Sequence, residues 1–110
     1  MAKVLVSEAD PDVRRLLSVL VTRLGHEAVV LDADVAVPPR ADLLLLEPGS
    51  RTGLEHGRLV RAYFPDLPVI CMSALPDDGG FLERGPLRFL AKPFTLEQMR
   101  DLIARTVSPV

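Results

Sequence analysis

Two carboxylates, a hydroxyl and an ammonium each stand where a short apolar run of this sequence gives out. Glu8 follows the run 3–7, Glu47 follows four leucines, Ser73 follows Val-Ile-Cys-Met, and Lys92-Pro93 follows the run 87–91. Gathered on one rim, such groups can hold a divalent cation, receive a phosphoryl group on a carboxylate, or neutralise one another as ion pairs. The outcome depends on which elements carry them.

Short apolar runs alternate with amphipathic segments, the pattern of βα units on a parallel sheet. The runs predict strands over 3–7, 27–31, 42–47, 68–73 and 87–91. Asp10-Pro11 reads as a helix cap followed by a first-turn proline, with Asp12 adding charge that favours the helix start. Val13, Leu16, Leu17, Leu20, Val21 and Leu24 recur at helical spacing until Gly25. A further helix is predicted over 54–64, after Gly53, and a last one begins at Thr95, whose spacing to Gln98 makes a capping box. Two connections are unusual. Residues 32–40, broken by Pro38-Pro39, are too few for a full crossover helix and hold one turn at most. Residues 74–86 carry Pro76, Gly79, Gly80 and Gly85, so a helix over 77–84 is poor, each interior glycine costing about 1 kcal/mol. In an open sheet of this kind, function gathers at the carboxyl ends of the strands, which is where Ser7, Glu8, Glu47, Ser73 and Lys92 stand.

At 110 residues, 48% hydrophobic and 25% charged, the chain fits one globular domain spanning 1–110. No apolar stretch nears the ~20 residues of a membrane helix, and the first residues lack a signal peptide's apolar core, so a cytoplasmic location is expected. A formal charge of −2 with scattered cations argues against nucleic acid as a partner. Cys71, the single cysteine, reads as a buried hydrophobe rather than a reactive thiol. His26 and His56 lack the spacing of a metal or catalytic pair and read as surface residues. Asp77-Asp78-Gly79-Gly80 lacks the alternating ligands and distal glutamate of a calcium loop and reads as a turn.

Four motifs in order carry a family resemblance. They are Val4-Leu-Val-Ser-Glu-Ala-Asp-Pro-Asp-Val-Arg-Arg-Leu-Leu17, Asp42-Leu-Leu-Leu-Leu-Glu-Pro48, Pro68-Val-Ile-Cys-Met-Ser-Ala74 and Phe89-Leu-Ala-Lys-Pro-Phe94. Together they resemble the receiver domain of bacterial two-component response regulators, the CheY-like fold, over nearly the whole chain. The resemblance implies a five-stranded parallel sheet of order 2-1-3-4-5 with helices on both faces, the second helix nearly absent and the fourth short or irregular. It also implies a phosphorylation pocket, whose two metal-binding acids fall on Glu8 and Ala9 and whose phosphoacceptor aspartate falls on Glu47. The switch hydroxyl falls on Ser73, the lysine and its proline on Lys92 and Pro93, and the aromatic switch on Phe89.

Phe89 lacks the hydroxyl of the family's common tyrosine, and the three acid positions depart from the family as well. Ala9 contributes no oxygen, Glu8 is longer than the aspartate it replaces, and Glu47 carries its carboxylate about 1.5 Å further out. Magnesium demands near-ideal octahedral geometry, and a displacement of about 1 Å at a reacting group costs on the order of a hundredfold in rate. The expectation is a vestigial pocket of Glu8, Ala9, Glu47, Ser73, Lys92 and Pro93, without enzymatic activity or a cofactor. Magnesium is held at most weakly, by Glu8 and Glu47. Glu47 is expected to pair with Lys92, or to imitate a phosphorylated aspartate by engaging Ser73 and Lys92 together. Glu8 is expected to be a solvated acid near a helix start. The domain would then be a phosphorylation-independent interaction module. It would meet a protein partner or a second copy through the family's fourth helix, fifth strand and fifth helix, a surface that includes Phe89. The alternatives are a magnesium-dependent phosphoacceptor using Glu47, and a rim binding a small anion at Lys92 and Ser73.

Overall fold

The computed structural model describes residues 1–75 and 80–107. Five parallel strands, β1 (Lys3–Ser7), β2 (Glu27–Val30), β3 (Leu43–Leu46), β4 (Val69–Cys71) and β5 (Leu87–Phe89), form one sheet in the order β2-β1-β3-β4-β5. Among the described residues the helices are α1 (Pro11–Arg23), α2 (Arg51–Tyr63) and α3 (Leu96–Val107), with a 3-10 turn at Leu82–Arg84. The strand order and the helix-bearing layers agree with the sequence expectation. The strands are mostly a residue or more shorter than the apolar runs, because pairing stops before the apolar character does.

The four leucines of β3 are all buried because the sheet is covered on both faces. Leu43 and Leu45 join Val4, Val6, Ile70 and Met72 on the face packed by Leu17 and Val21 of α1 and Met99 and Ile103 of α3. Leu44 and Leu46 join Leu5, Val69 and Cys71 on the opposite face, under Val60 of α2 and Leu82. Cys71 is thus a core residue, as its apolar run predicts.

Local chemistry fixes where the helices begin and end. The Asp10 side chain accepts the Asp12 and Val13 amide hydrogens at 2.9 and 3.4 Å, capping α1, and Gly25, at φ +87°, ends it in a conformation other side chains rarely take. Thr95 and Gln98 exchange the two bonds of the capping box at 2.8 and 3.0 Å. The start of α2 differs from the expectation. Ser50 is its cap, accepting the Gly53 amide hydrogen at 2.9 Å, so Gly53 lies inside the helix rather than before it.

Between β2 and β3 no helix forms among the described residues. Leu31, Val35 and Ala41 of this connection pack on the α2 side of the sheet instead. Of the poor helix expected over 77–84, the described residues hold a 3-10 turn at Leu82–Arg84, and residues 76–79, with most of the Asp77–Gly80 turn, lie outside the described residues. No helix of the described residues is long and apolar enough to cross a membrane.

Candidate functional site

Parallel strands bring Glu8, Glu47, Ser73 and Lys92 to one rim because each follows a strand's carboxyl end. The register sets Ser7 opposite Leu46 and Leu46 opposite Cys71, so the residues that follow converge. Lys92 Nζ lies 2.5 Å from Glu8 Oε1 and 3.0 Å from Glu47 Oε2, bridging the two carboxylates. Glu47 Oε1 accepts from the Ser73 hydroxyl at 2.6 Å and from the Gly49 amide at 2.9 Å. Both oxygens of Glu47 are therefore occupied by donors on three segments.

This arrangement gives the expected Glu47–Lys92 pair and also the contact to Ser73. It corrects the expectation for Glu8. That side chain is only 2% exposed, and its second oxygen accepts the Asp10 amide hydrogen at 3.0 Å. A carboxylate so far from water needs a counterion, and Lys92 reaches it because the lysine stem spans the rim. Burial pushes the Glu47 carboxyl up, but hydrogen bonds from Ser73, Lys92 and Gly49 outweigh it and hold the group below its ordinary value. Burial likewise opposes the Lys92 charge, and the two glutamates overcome it, raising the ammonium's pKa.

The donor set does not suit a hard divalent cation. Ala9 has no oxygen to offer, and an ammonium stands between the two carboxylates that would bind weakly held magnesium. Among the described residues there is no group of three or more His, Cys, Asp and Glu side chains able to hold a metal. Pro93 follows Lys92 across a cis peptide bond and is exposed. Phe89 sits on the edge strand β5, 53% exposed.

Close approach of α2 shapes the pocket floor. A Cβ on Gly53 would lie 1.9 Å from the Glu47 carbonyl oxygen, so only glycine lets this helix start directly against the strand end that carries Glu47.

The histidine expectation is overturned. His26 is half-buried, its Nδ1 accepting the Ala2 amide hydrogen at 3.0 Å. His56 is buried, 2.6 Å from Ser7 Oγ through Nδ1 and 2.9 Å from the Asp32 carbonyl through Nε2. A carbonyl only accepts, so Nε2 carries the hydrogen, and in the neutral ring Nδ1 accepts from the Ser7 hydroxyl. The pair ties β1 and α2 to the connection that lacks a helix. A recess of about 60 Å³ beside it borders Ser7, Glu8, Ala9, Ser50, Thr52 and His56. A signal for His56 was present in the sequence: Gly53, His56, Gly57 and Val60 recur at helical spacing, which marks the buried face of α2.

No protein-family model matches the chain. It is 33% identical to the response regulator protein FleR of Pseudomonas aeruginosa over 114 aligned residues, covering 94% of this chain and 24% of FleR. The crystal structure of the receiver domain of NtrX from Brucella abortus superposes with a TM-score of 0.73 at 26% identity, covering 97% of this chain and 99% of that one. This chain has the CheY-like fold of response-regulator receiver domains. Vibrio cholerae chemotaxis protein CheY4 shares the fold alone, with a TM-score of 0.78 at 23% identity over 96% of this chain and 98% of that one. The chain spans about a quarter of the length of FleR. Its rim differs in make-up from the pattern the sequence resemblance implies, with Glu8, Ala9 and Glu47 at the three acid positions.

Proposed function

We propose that this receiver domain signals without phosphoryl transfer, as a protein-interaction module whose state is set by its own charges. The observation that carries the reading is the Lys92 bridge, one ammonium bonded to Glu8 and Glu47 while Ser73 donates to the same Glu47. Phosphoryl transfer to a carboxylate depends on a cation that neutralises developing charge and on a free, positioned acceptor oxygen. Here the cation is a lysine and both Glu47 oxygens are already engaged. The Glu47 carboxylate also makes the contacts to a hydroxyl and an ammonium that a charged switch group would make, which supports a fixed rather than an induced state. On this reading the domain is not an enzyme, needs no metal, and meets a protein partner or a second copy through the segment before β5, β5 itself with Phe89, and α3.

Incubation with acetyl phosphate and Mg²⁺, followed by intact-mass spectrometry, tests the proposal. We expect no added phosphoryl mass, and no Mg²⁺ binding at millimolar metal by titration. A stable adduct mapped to Glu47 would overturn the reading in favour of a working phosphoacceptor.

A further inference from the structure

Arg61, on the last turn of α2, is a buried cation whose hydrogen bonds among the described residues all go to backbone carbonyls. It is 4% exposed. Nε donates to the Leu82 carbonyl at 3.0 Å, Nη1 to those of Leu67 and Pro65 at 2.5 and 3.4 Å, and Nη2 to that of Pro86 at 2.5 Å. Among the described residues no carboxylate forms an ion pair with it. A guanidinium presents its donors in a rigid planar fork, so four carbonyls around it are held in fixed relative positions. Two of those carbonyls, of Pro65 and Leu67, lie between α2 and β4; the Leu82 carbonyl belongs to the 3-10 turn and that of Pro86 follows it before β5.

The surroundings are shaped for this contact. A Cβ on Gly85 would lie 2.3 Å from the Pro65 carbonyl oxygen and 2.6 Å from the Arg61 guanidinium carbon, so a side chain there would collide with both. One turn earlier in α2, a Cβ on Gly57 would lie 2.8 Å from a methyl carbon of Leu82, the core residue whose carbonyl Arg61 holds. Pro86 accepts from Arg61 and also from the Val69 amide at 3.1 Å, so the guanidinium is continuous with the β4–β5 pairing. Burial opposes the Arg61 charge, and Asp66, beyond ion-pair distance, relieves only part of that cost. The backbone dipoles gathered here offset that cost only while the four carbonyls stay in place.

We infer that Arg61 is a conformational strap that fixes the Leu82–Pro86 segment against α2 and so holds the β5 edge in one arrangement, whatever the charge state of the rim. The inference deepens the proposed function, on which it rests: a domain that does not switch by phosphorylation presents its interaction edge ready-made. The strap lies at the far end of α2 from the Glu47–Ser73–Lys92 cluster, and the two ends are tied to the sheet separately.

Amide hydrogen exchange followed by NMR on Arg61→Lys and Arg61→Met tests it. Lysine keeps the charge without the fork, and methionine keeps much of the volume without the charge. We expect exchange at Val69 and Arg84 to rise about tenfold or more in both variants, while amides of β1 and β3 stay protected. Unchanged protection at Val69 and Arg84 in folded variants would overturn the inference. If neither variant folds, the wild-type chain decides. The Arg61 Nε hydrogen is then expected to be slowly exchanging and unaltered by acetyl phosphate with Mg²⁺, and rapid exchange there sinks the strap. A phosphoryl adduct on Glu47 with the Nε hydrogen still protected would remove the proposed function and leave the strap standing.

Discussion

Replacing Lys92 with methionine removes the ammonium and keeps most of the apolar stem, which isolates the contribution of the bridge. At an effective dielectric near 20, each contact of about 2.5–3.0 Å is worth roughly 5–7 kcal/mol of gross attraction. Desolvation of the buried Glu8 carboxylate offsets much of this, and breaking a fully buried pair costs about 3–5 kcal/mol net. Lys92 is 36% exposed, so water can partly replace it, which places the loss nearer ~2–3 kcal/mol. With an unfolding entropy of roughly 2.1 cal/mol/K per residue over this chain, the melting temperature should fall by about 9–13 °C near neutral pH. The pH dependence supplies the sharper check. Glu47 titrates below its ordinary value of 4.5 in the folded protein, so its contribution is present above that value and is lost as pH falls through the lowered one. The Lys92 pKa is raised from 10.5, so its contribution is complete below that value and is lost only as pH rises through the raised one. The gap between wild type and Lys92→Met should thus be widest across the interval between, and should narrow in acid as Glu47 protonates. Circular-dichroism melts at neutral pH and at pH values below 4.5 measure both quantities. A gap that is the same in acid as at neutrality would refute the ion-pair account and leave only a packing role for the lysine stem.

Two further outcomes probe the parts of the rim that face inward. His56→Ala strands the Ser7 hydroxyl and the Asp32 carbonyl and opens a cavity, so the urea midpoint should fall by an amount equivalent to about 2–4 kcal/mol; a loss under ~1 kcal/mol would show that water satisfies both groups. Gly53→Ala drives a methyl group into the Glu47 carbonyl, so it should destabilise by about 1–3 kcal/mol or more despite alanine's better helix propensity, and a stabilised variant in thermal melts would mean that α2 does not start against β3 as described.

Topology was legible in the sequence because a parallel sheet buried on both faces leaves runs such as Leu43–Leu46 with no polar interruption. Cap positions were legible at Asp10 and Thr95, where the capping side chain acts on its own neighbours in sequence. Gly53 misled for a physical reason. Its composition argues for a boundary, whereas its role is to admit the Glu47 backbone into the first turn of α2, a tertiary constraint with no local mark. The same holds for the polar residues of the interior. Ser7, His56 and Arg61 carry the composition of a surface, and only the packing of α2 on the sheet reveals that each is buried with its hydrogen bonds satisfied. Glu8 was misread because its neighbours in sequence are a helix start, while its partner in space is 84 residues away.

On the proposed reading, the departures of the rim from the resembled pattern make sense together rather than singly. The family pattern that the sequence resembles sets three acids against one lysine, an excess of negative charge that only an external cation relieves. Ala9 removes one of those acids, and Glu8, Glu47 and Lys92 then sum to a formal −1 (two minus, one plus). Lengthening the other two acids by a methylene lets both reach the same ammonium, which a shorter pair at these strand ends would do less well. Ser73 and the Gly49 amide disperse negative charge at Glu47 as hydrogen-bond donors. An acid lost and two acids lengthened thus act in the same direction, toward a rim balanced by its own lysine.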